Sequence, residues 1–422
     1  MLYSQLFSRT SKDIPSDETS KNAQLLIRAG YIHKEMAGVY SFLPLGYKVL
    51  QNIIHIIREE MDKIGGNEML MSSLQDPSIW KKSNRWTDNK DVDAWFTTKL
   101  KNDTELGLGF THEEDITNIA SKFVKSYKNL PLLAYQFQNK FRNETRAKSG
   151  IMRTREFIMK DLYSFARDEE EHEILYNRVA DAYKIIFKRL GIGDKTYKTF
   201  ASGGVFSKYS HEYQTLCEAG EDEIYVCDRL GMAINKEVYN DEVLADLGVG
   251  KDELRVAPAS EVGNIFSLGT RFSSALDLKY KNEKGEEKEV VMGSYGIGPA
   301  RVMGIIAELI SDDRGLIWPT EIAPYALYLV SLHKEKGDEV YNYSEEIYNV
   351  LRGSGVDVMW DDRESAAGEK LADADLIGIP VRVLVSTKTI EQGGVEIKER
   401  VASQTEIVTK EQFLKSWTEA CN

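Results

Sequence analysis

The densest chemistry in this 422-residue chain lies at positions 140–165, KFRNETRAKSGIMRTREFIMKDLYSF. Arg142, Glu144, Arg146, Lys148, Arg153 and Arg155 crowd this one stretch. A guanidinium is planar, permanently charged and forked, so such a cluster suits polyphosphate oxygens. The same run also suits the solvated face of a charged hairpin. A second group is Phe110-Thr111-His112-Glu113-Glu114. There a carboxylate, Glu113, can pair with a cationic group, and the Thr111 hydroxyl can bond the same end. Thr111 and Glu114 equally have the spacing of a capping box that opens a helix through Ile116, Ile119 and Ala120. The third is His211 in Ser210-His211-Glu212-Tyr213, a site imidazole or a structural one. No Gly-x-Ser-x-Gly elbow surrounds Ser210, which excludes that hydrolase signature. The fourth is Arg301, in the first turn of a helix that Pro299 begins after Gly296 and Gly298. A helix N-terminus plus an arginine is an anion site, and a helix-packing glycine turn looks the same. A dinucleotide fingerprint is excluded, because Gly-Ile-Gly leads to Arg301 and the parallel-sheet context is missing.

These groups need elements to hold them. Tyr135 and Phe137 alternate with Gln136 and Gln138, and the chain returns through Phe157, Met159, Leu162 and Tyr163, which predicts a long hairpin. Residues 23–37 predict a helix ending before Gly38. Val49, Ile53, Ile56, Ile57 and Ile64 predict a long amphipathic helix stopped by Gly65-Gly66, then an extended run at 68–74. Positions 168–190 predict a helix with Leu175, Val179, Ala182 and Ile186 on one face and Gly191 at its end. Positions 261–273 are punctuated by glycine and read as the lining of a small pocket. Residues 290–292 should end a strand before the Gly296–Gly298 turn. Past Trp318-Pro319 and Pro324 the pattern changes. Strands at 327–332, 356–360 and 381–385 alternate with helices at 339–351, 368–376 and 410–420, a compact α/β domain.

Composition narrows the classes. A net charge of −13 argues against broad nonspecific nucleic-acid binding but leaves room for local basic patches. Cys217, Cys227 and Cys421 have neither metal-ligand nor disulfide spacing, which fits a reducing, cytoplasmic setting. The N-terminus lacks the apolar region of a signal peptide, and no run approaches membrane-spanning length. There is no internal repeat.

Phe141-Arg142-Asn143-Glu144, a loop and Arg155-Glu156-Phe157 resemble motif 2 of the class II aminoacyl-tRNA synthetases, and REFIMKDLYSF resembles the prolyl branch in particular. Motif 1 would fall at about 45–74, motif 2 at about 135–165 and motif 3 at about 290–310. The Thr111-x-Glu113 loop, Ser210-His211-Glu212, the 261–273 segment, and Asp361-Asp362-Arg363 with Gly368 to Pro380 follow the family order. Ser72 and Phe110 stand where the family has proline, Ser267 where it often has glutamine, and Ser294 where it has cysteine.

The resemblance implies an α/β (α+β) protein. A class II catalytic domain at 1–320 would be built on an antiparallel sheet flanked by helices, and an α/β anticodon-binding domain would fill 324–422. It implies a ligase that uses ATP to convert L-proline to prolyl-adenylate and passes it to the 3′ end of tRNA(Pro). Arg142 and Arg301 would be catalytic. ATP would be met by Arg142 at the α-phosphate, Glu144 and Phe157 at the adenine, and Arg153 and Arg301 at the outer phosphates. Thr111, Glu113, Arg142 and His211 would bind proline. Arg363, Glu364 and Lys370 would read the anticodon. Mg2+ would accompany ATP, with its ligands open, and no zinc-ligand set of the threonyl kind is present. A homodimer through motif 1 is implied, with no membrane partner. Roughly 125 residues separate motif 2 from motif 3, too few for an inserted editing domain. Correction of mischarged alanine would then fall to a separate trans-editing protein. The alternative is a catalytically inactive synthetase-like protein that binds tRNA or regulates; the retained Arg142 and Arg301 argue against it.

Overall fold

The computed structural model describes residues 1–86, 94–145, 147, 149–203 and 209–419. Contacts divide the chain into two compact units, one of Met36–Val39 and Ile53–Ile305, the other of Met1–Glu35, Tyr40–Asn52 and Ile306–Asn422. The helices used below are α1 (Lys21–Arg28), α2 (Pro44–Lys63), α3 (Glu113–Phe123), α4 (Glu169–Arg189), α5 (Pro299–Leu309), α6 (Glu339–Gly353), α7 (Ala367–Ile377) and α8 (Lys410–Glu419).

A nine-stranded sheet organises the larger unit. Its strands are β1 (Asn67–Glu68), β2 (Leu132–Phe141), β3 (Glu156–Ala166), β4 (Thr196–Ser202), β5 (Tyr209–Leu216), β6 (Asp222–Cys227), β7 (Met232–Asn235), β8 (Arg255–Gly269) and β9 (Val291–Ile297). Their spatial order is β5-β4-β7-β6-β8-β9-β3-β2-β1, and β5 also pairs with β8, closing five strands into a ring. The pairings are antiparallel except β4 with β7 and β1 with β2. The expected antiparallel sheet flanked by helices is therefore the frame, and the expected hairpin is β2–β3, with Leu132 opposite Phe165 and Phe141 opposite Glu156.

Helix α4 forms where the apolar stripe predicts it. Asp168 caps it by accepting from Glu171 N at 2.9 Å, and Leu175, Val179, Ala182 and Ile186 are buried. Three local expectations change. The helix expected over 23–37 stops at Arg28, because Gly30 takes a φ of +72° where a Cβ would lie 2.9 Å from the Arg9 carbonyl. Ile32–Met36 then turns at Gly38 to pair with Val39–Phe42. The run at 68–74 is not one strand: Asn67–Glu68 joins the main sheet and Leu74–Gln75 joins a separate sheet with Glu105–Leu108. The strand expected to end at Met292 continues to Ile297, because both its edges are paired, Gly296 lying between Asn264 and Asp161. Strands β4, β6 and β7 were not foreseen.

In the other unit, β10 (Leu327–Ser331), β11 (Val358–Asp361), β12 (Val381–Val385), β13 (Gly394–Glu399) and β14 (Glu406–Thr409) form a sheet of order β11-β10-β12-β13-β14. The three strands anticipated from sequence are parallel, and β13 and β14 add an antiparallel edge. Leu327, Leu351, Trp360, Val383 and Phe413 are among its core residues, with α6 and α8 supplying two of them. The first 35 residues pack here, unlike the expected single cut near 320. The Met1 amino group donates to the Val358 carbonyl and Tyr31 Oη to the Ile377 carbonyl, both at 2.8 Å. Among the described residues no helix is long and apolar enough to cross a membrane. Cys217 and Cys227 are buried and joined in no disulfide with one another, and Cys421 lies outside the described residues.

Candidate active site

Side chains alternate along β3, so Phe157, Met159, Asp161 and Tyr163 share one face while Lys160 and Leu162 share the other. The first set lines cavities in the sheet surface together with Asn264 and Phe266 of β8 and Ser294 and Gly296 of β9. Lys160, on the second face, donates to Tyr183 Oη of α4 at 2.6 Å and to the Tyr295 carbonyl at 2.9 Å.

Two cavities of about 310 Å³ each meet at Arg142. One is polar, with Glu144, Arg153, Asp222, Glu261 and Arg301 in its wall. The other is more apolar, with Thr111, Glu113, Met159, Phe266 and Ser294. Arg142 follows the last residue of β2, where its backbone N donates to the Arg155 carbonyl at 2.8 Å. Its Nε donates to the Phe110 carbonyl at 3.3 Å, and its guanidinium carbon lies 5.2 Å from the Phe157 ring centroid. Burial, and then the nearby Arg301, work against its charge and lower its pKa, so an anion placed between these arginines is favoured. Arg301, in the first turn of α5, donates from Nε to the Met152 carbonyl and from Nη1 to the Glu261 carbonyl, each at 2.8 Å. A niche of about 30 Å³ lies beside Phe157, Val262 and Arg301.

At the far end of the apolar cavity, Thr111 Oγ1 donates to the Glu113 carboxylate at 2.7 Å and Ser294 Oγ at 3.3 Å. The capping-box alternative fails. The N-cap of α3 is His112, without a side-chain cap, and Glu114 is turned inward to Arg85 and Ser83. Burial pushes Glu114 up to about 7, against the pull of Arg85. Beneath the floor, Lys140 Nζ lies 2.8 Å from Asp161 Oδ1 and 2.6 Å from His112 Nδ1. Burial raises the Asp161 pKa, but Lys140 and then His112 outweigh it and hold the carboxyl below its ordinary value. Burial and then Lys140 push His112 down to about 4.

Several expected site residues are placed differently. His211 stands opposite Ile265 in the β5–β8 ladder, while the cavity is lined by Asn264 and Phe266. Directly opposed residues share a face, so His211 points to the α4 side, where its Nδ1 lies 2.8 Å from Tyr176 Oη. Burial, then Lys198, push it down to about 3. Arg153 is ion-paired at 2.8 Å with Glu144 and also with Glu221, which engages both residues expected at the nucleotide. Arg155 braces the loop, donating to the Glu144 carbonyl at 3.0 Å and the Ala37 carbonyl at 2.8 Å. Arg146 and Lys148 lie outside the described residues.

In the other unit, Arg363 Nη2 bonds Asp361 at 2.6 Å and Asp373 at 2.7 Å, with its guanidinium carbon 3.8 Å from the Tyr3 ring centroid. Lys370 is fully buried and donates to the Ser331 carbonyl at 2.7 Å. Of the three residues expected to read an anticodon, Glu364 alone is exposed. Sequence patterns missed Arg85, whose Nη1 reaches Glu113 and Glu114 at 3.1 Å; no motif marks it. They also missed Asp161 and Lys140, although both sit inside the hairpin that drew attention.

Comparison with known proteins identifies the family. The family described as tRNA synthetase class II core domain (G, H, P, S and T) matches residues 96–310, and the family described as anticodon binding domain matches 327–419. The chain is 37% identical over 439 positions to a proline–tRNA ligase of Agrobacterium fabrum, covering 97% of this chain and 98% of that one. It is 31% identical to a proline–tRNA ligase of Syntrophomonas wolfei, with 97% of each chain covered. That alignment runs to 556 positions, so this relative carries well over a hundred residues with no counterpart here. Among solved structures, a Giardia lamblia prolyl-tRNA synthetase in complex with prolyl-adenylate superposes with a TM-score of 0.74 at 20% identity, covering 94% of this chain and 78% of that one. At that identity the likeness is one of fold.

Proposed function

This chain belongs to the proline–tRNA ligases, class II synthetases with an anticodon-binding domain, and from that membership we propose how its own residues carry the reaction. It activates L-proline with ATP to prolyl-adenylate and transfers proline to the 3′ end of tRNA(Pro), without an internal editing domain. The observation that carries the assignment of sites is that Arg142 lines both cavities. The bond to be made joins a carboxylate to an α-phosphate, so one cation must face both reactants.

Proline occupies the Thr111–Glu113–Phe266 cavity, its imino cation on Glu113 and its carboxylate on Arg142. ATP occupies the polar cavity, with Arg301 on the outer phosphates and Phe157 on the adenine. Arg153 and Glu144 reach the nucleotide by exchanging their mutual ion pair for it. The carboxylate attacks the α-phosphorus and pyrophosphate leaves; the terminal ribose hydroxyl of tRNA then attacks the adenylate carbonyl, the ester forms, the acyl–phosphate bond breaks and AMP leaves. The chain supplies position and charge stabilisation. His211 acts from behind the sheet as a structural group.

Glu261 and Asp222, which line the polar cavity, would hold Mg2+ there through carboxylate oxygens. When bound it neutralises phosphate charge. The matched spans support a catalytic domain within 1–320 and an anticodon-binding domain within 324–422. A cytoplasmic homodimer assembled through the motif 1 region belongs to the same reading. So does a separate trans-editing protein, since an apolar pocket rejects a smaller amino acid only weakly. Nothing favours the inactive alternative. The test is ATP–pyrophosphate exchange across the standard amino acids, followed by charging of tRNA(Pro). Exchange strongest with proline is expected; exchange strongest with another amino acid, or none from folded protein, overturns the reading.

A further inference from the structure

Among the described residues, three charged side chains meet at the amine end of the amino-acid cavity, and they do not cancel. Arg85 Nη1 donates to Glu113 Oε2 at 3.1 Å and to Glu114 Oε1 and Oε2 at 3.2 and 3.1 Å. Arg85 and Glu113 line the cavity; Glu114 does not, and its carboxylate is wholly buried. Glu114 is further fixed by Ser83 Oγ at 2.5 Å. The other partners of Glu113 are the hydroxyls of Thr111 and Ser294, which orient it without neutralising it.

A guanidinium touching one carboxylate makes a neutral pair, and a neutral pair gives a cationic amine little reason to bind. Here one guanidinium faces two carboxylates. Above its value of about 7 Glu114 is ionised, and it lies out of a ligand's reach, so there its charge can serve only Arg85.

We propose that Glu114 balances Arg85 and thereby leaves the charge of Glu113 uncompensated at the cavity wall, so that the Arg85–Glu114 pair sets the preference for a cationic imino group. Arg85 and Glu114 are positioning residues: they act through Glu113. Arg85 also packs its guanidinium 5.2 Å from the Trp80 ring centroid and 5.4 Å from that of Phe110, which keeps it from following the ligand. The inference rests on the reading of this cavity as the proline site.

The experiment compares the parent, Glu114→Gln and the double variant Arg85→Gln/Glu114→Gln in proline-dependent ATP–pyrophosphate exchange. It records KM for proline, KM for ATP and kcat. Cyclopentanecarboxylate, which has the ring and carboxylate of proline but no imino nitrogen, serves as a competitive probe. In Glu114→Gln, Arg85 claims Glu113, so KM for proline should rise roughly tenfold or more while KM for ATP stays within about twofold. Inhibition by cyclopentanecarboxylate should not weaken. In the double variant both the cation and its balancing charge are gone, so KM for proline should return to within about threefold of the parent.

Unchanged proline KM in Glu114→Gln overturns the inference. So does a double variant as impaired as the single one, or an equal loss for the probe that lacks the imino nitrogen, either of which marks a collapsed cavity. The double variant is neutral at both positions, so it decides the matter even where the single variant does not fold. Parent protein that exchanges pyrophosphate with no dependence on proline overturns the site reading itself, which separates that failure from this one.

Discussion

The guanidinium carbon of Arg142 stands 5.2 Å from the ring centroid of Phe157, so the cation shared by both cavities also covers an aromatic face. On the proposed assignment adenine would take the place of the guanidinium on this ring, which would link the two binding events through one side chain.

Arg142→Ala should therefore remove the one group that faces both reactants. Pyrophosphate exchange should fall by about 10³-fold or more, because a lost charge-stabilising donor alone costs about 10²–10³. The circular dichroism spectrum should not change, since among the described residues the Arg142 side chain donates to the Phe110 carbonyl at 3.3 Å and the Met159 sulfur alone. Activity near that of the parent would remove Arg142 from the centre.

Phe157→Leu keeps an apolar side chain in the niche but takes away the stacking face. Base–aromatic stacking contributes about 1–3 kcal/mol, so KM for ATP should rise roughly fivefold to a hundredfold. KM for proline should hold, because Phe157 does not line the cavity that contains Thr111 and Glu113. Steady-state exchange with each substrate varied in turn separates the two.

His211 gives a pH-dependent test of its placement on the α4 side. Its ordinary value is 6.5, and burial followed by Lys198 pushes it down to about 3. Between those values the unfolded chain holds a proton that the folded chain refuses. Its contribution to stability is thus present above pH 6.5 and is lost as pH falls toward 3. His211→Gln should flatten that loss: urea midpoints of the variant should decline less than those of the parent between about pH 6.5 and pH 4. Its KM for proline should stay within about threefold of the parent's, where a ligand contact would cost more. A tenfold rise would return His211 to the cavity.

Arg363→Ala should act on stability before it acts on recognition. Asp361 is fully buried, and removal of its guanidinium partner leaves an uncompensated carboxylate that costs about 3 kcal/mol. Chemical denaturation should show an earlier midpoint, while the folded variant binds tRNA(Pro) within about threefold of the parent. A large loss of tRNA affinity with unchanged stability would make Arg363 a reader of nucleotides.

Features that depend on short-range spacing were legible from the amino-acid order. Alternation at Tyr135–Gln138 and the return through Phe157 and Met159 specified the β2–β3 hairpin, and with it Arg142 at its loop end. The stripe from Leu175 to Ile186 specified α4, and Pro299 specified the start of α5 with Arg301 in its first turn. The ordered motifs specified the family, because each is a local string. The tertiary structure alone decided which way the motif residues face. In Ser210-His211-Glu212 the cavity side is set by the register of β5 on β8, strands some fifty residues apart, and a shift of one position would reverse it. Burial of Lys370, the ion pairs of Arg363 and the approach of Arg85 to Glu113 and Glu114 likewise join residues that no spacing rule connects. A charge in a sequence has a sign; only the folded chain supplies its neighbours, and these decide whether it binds a ligand or another side chain.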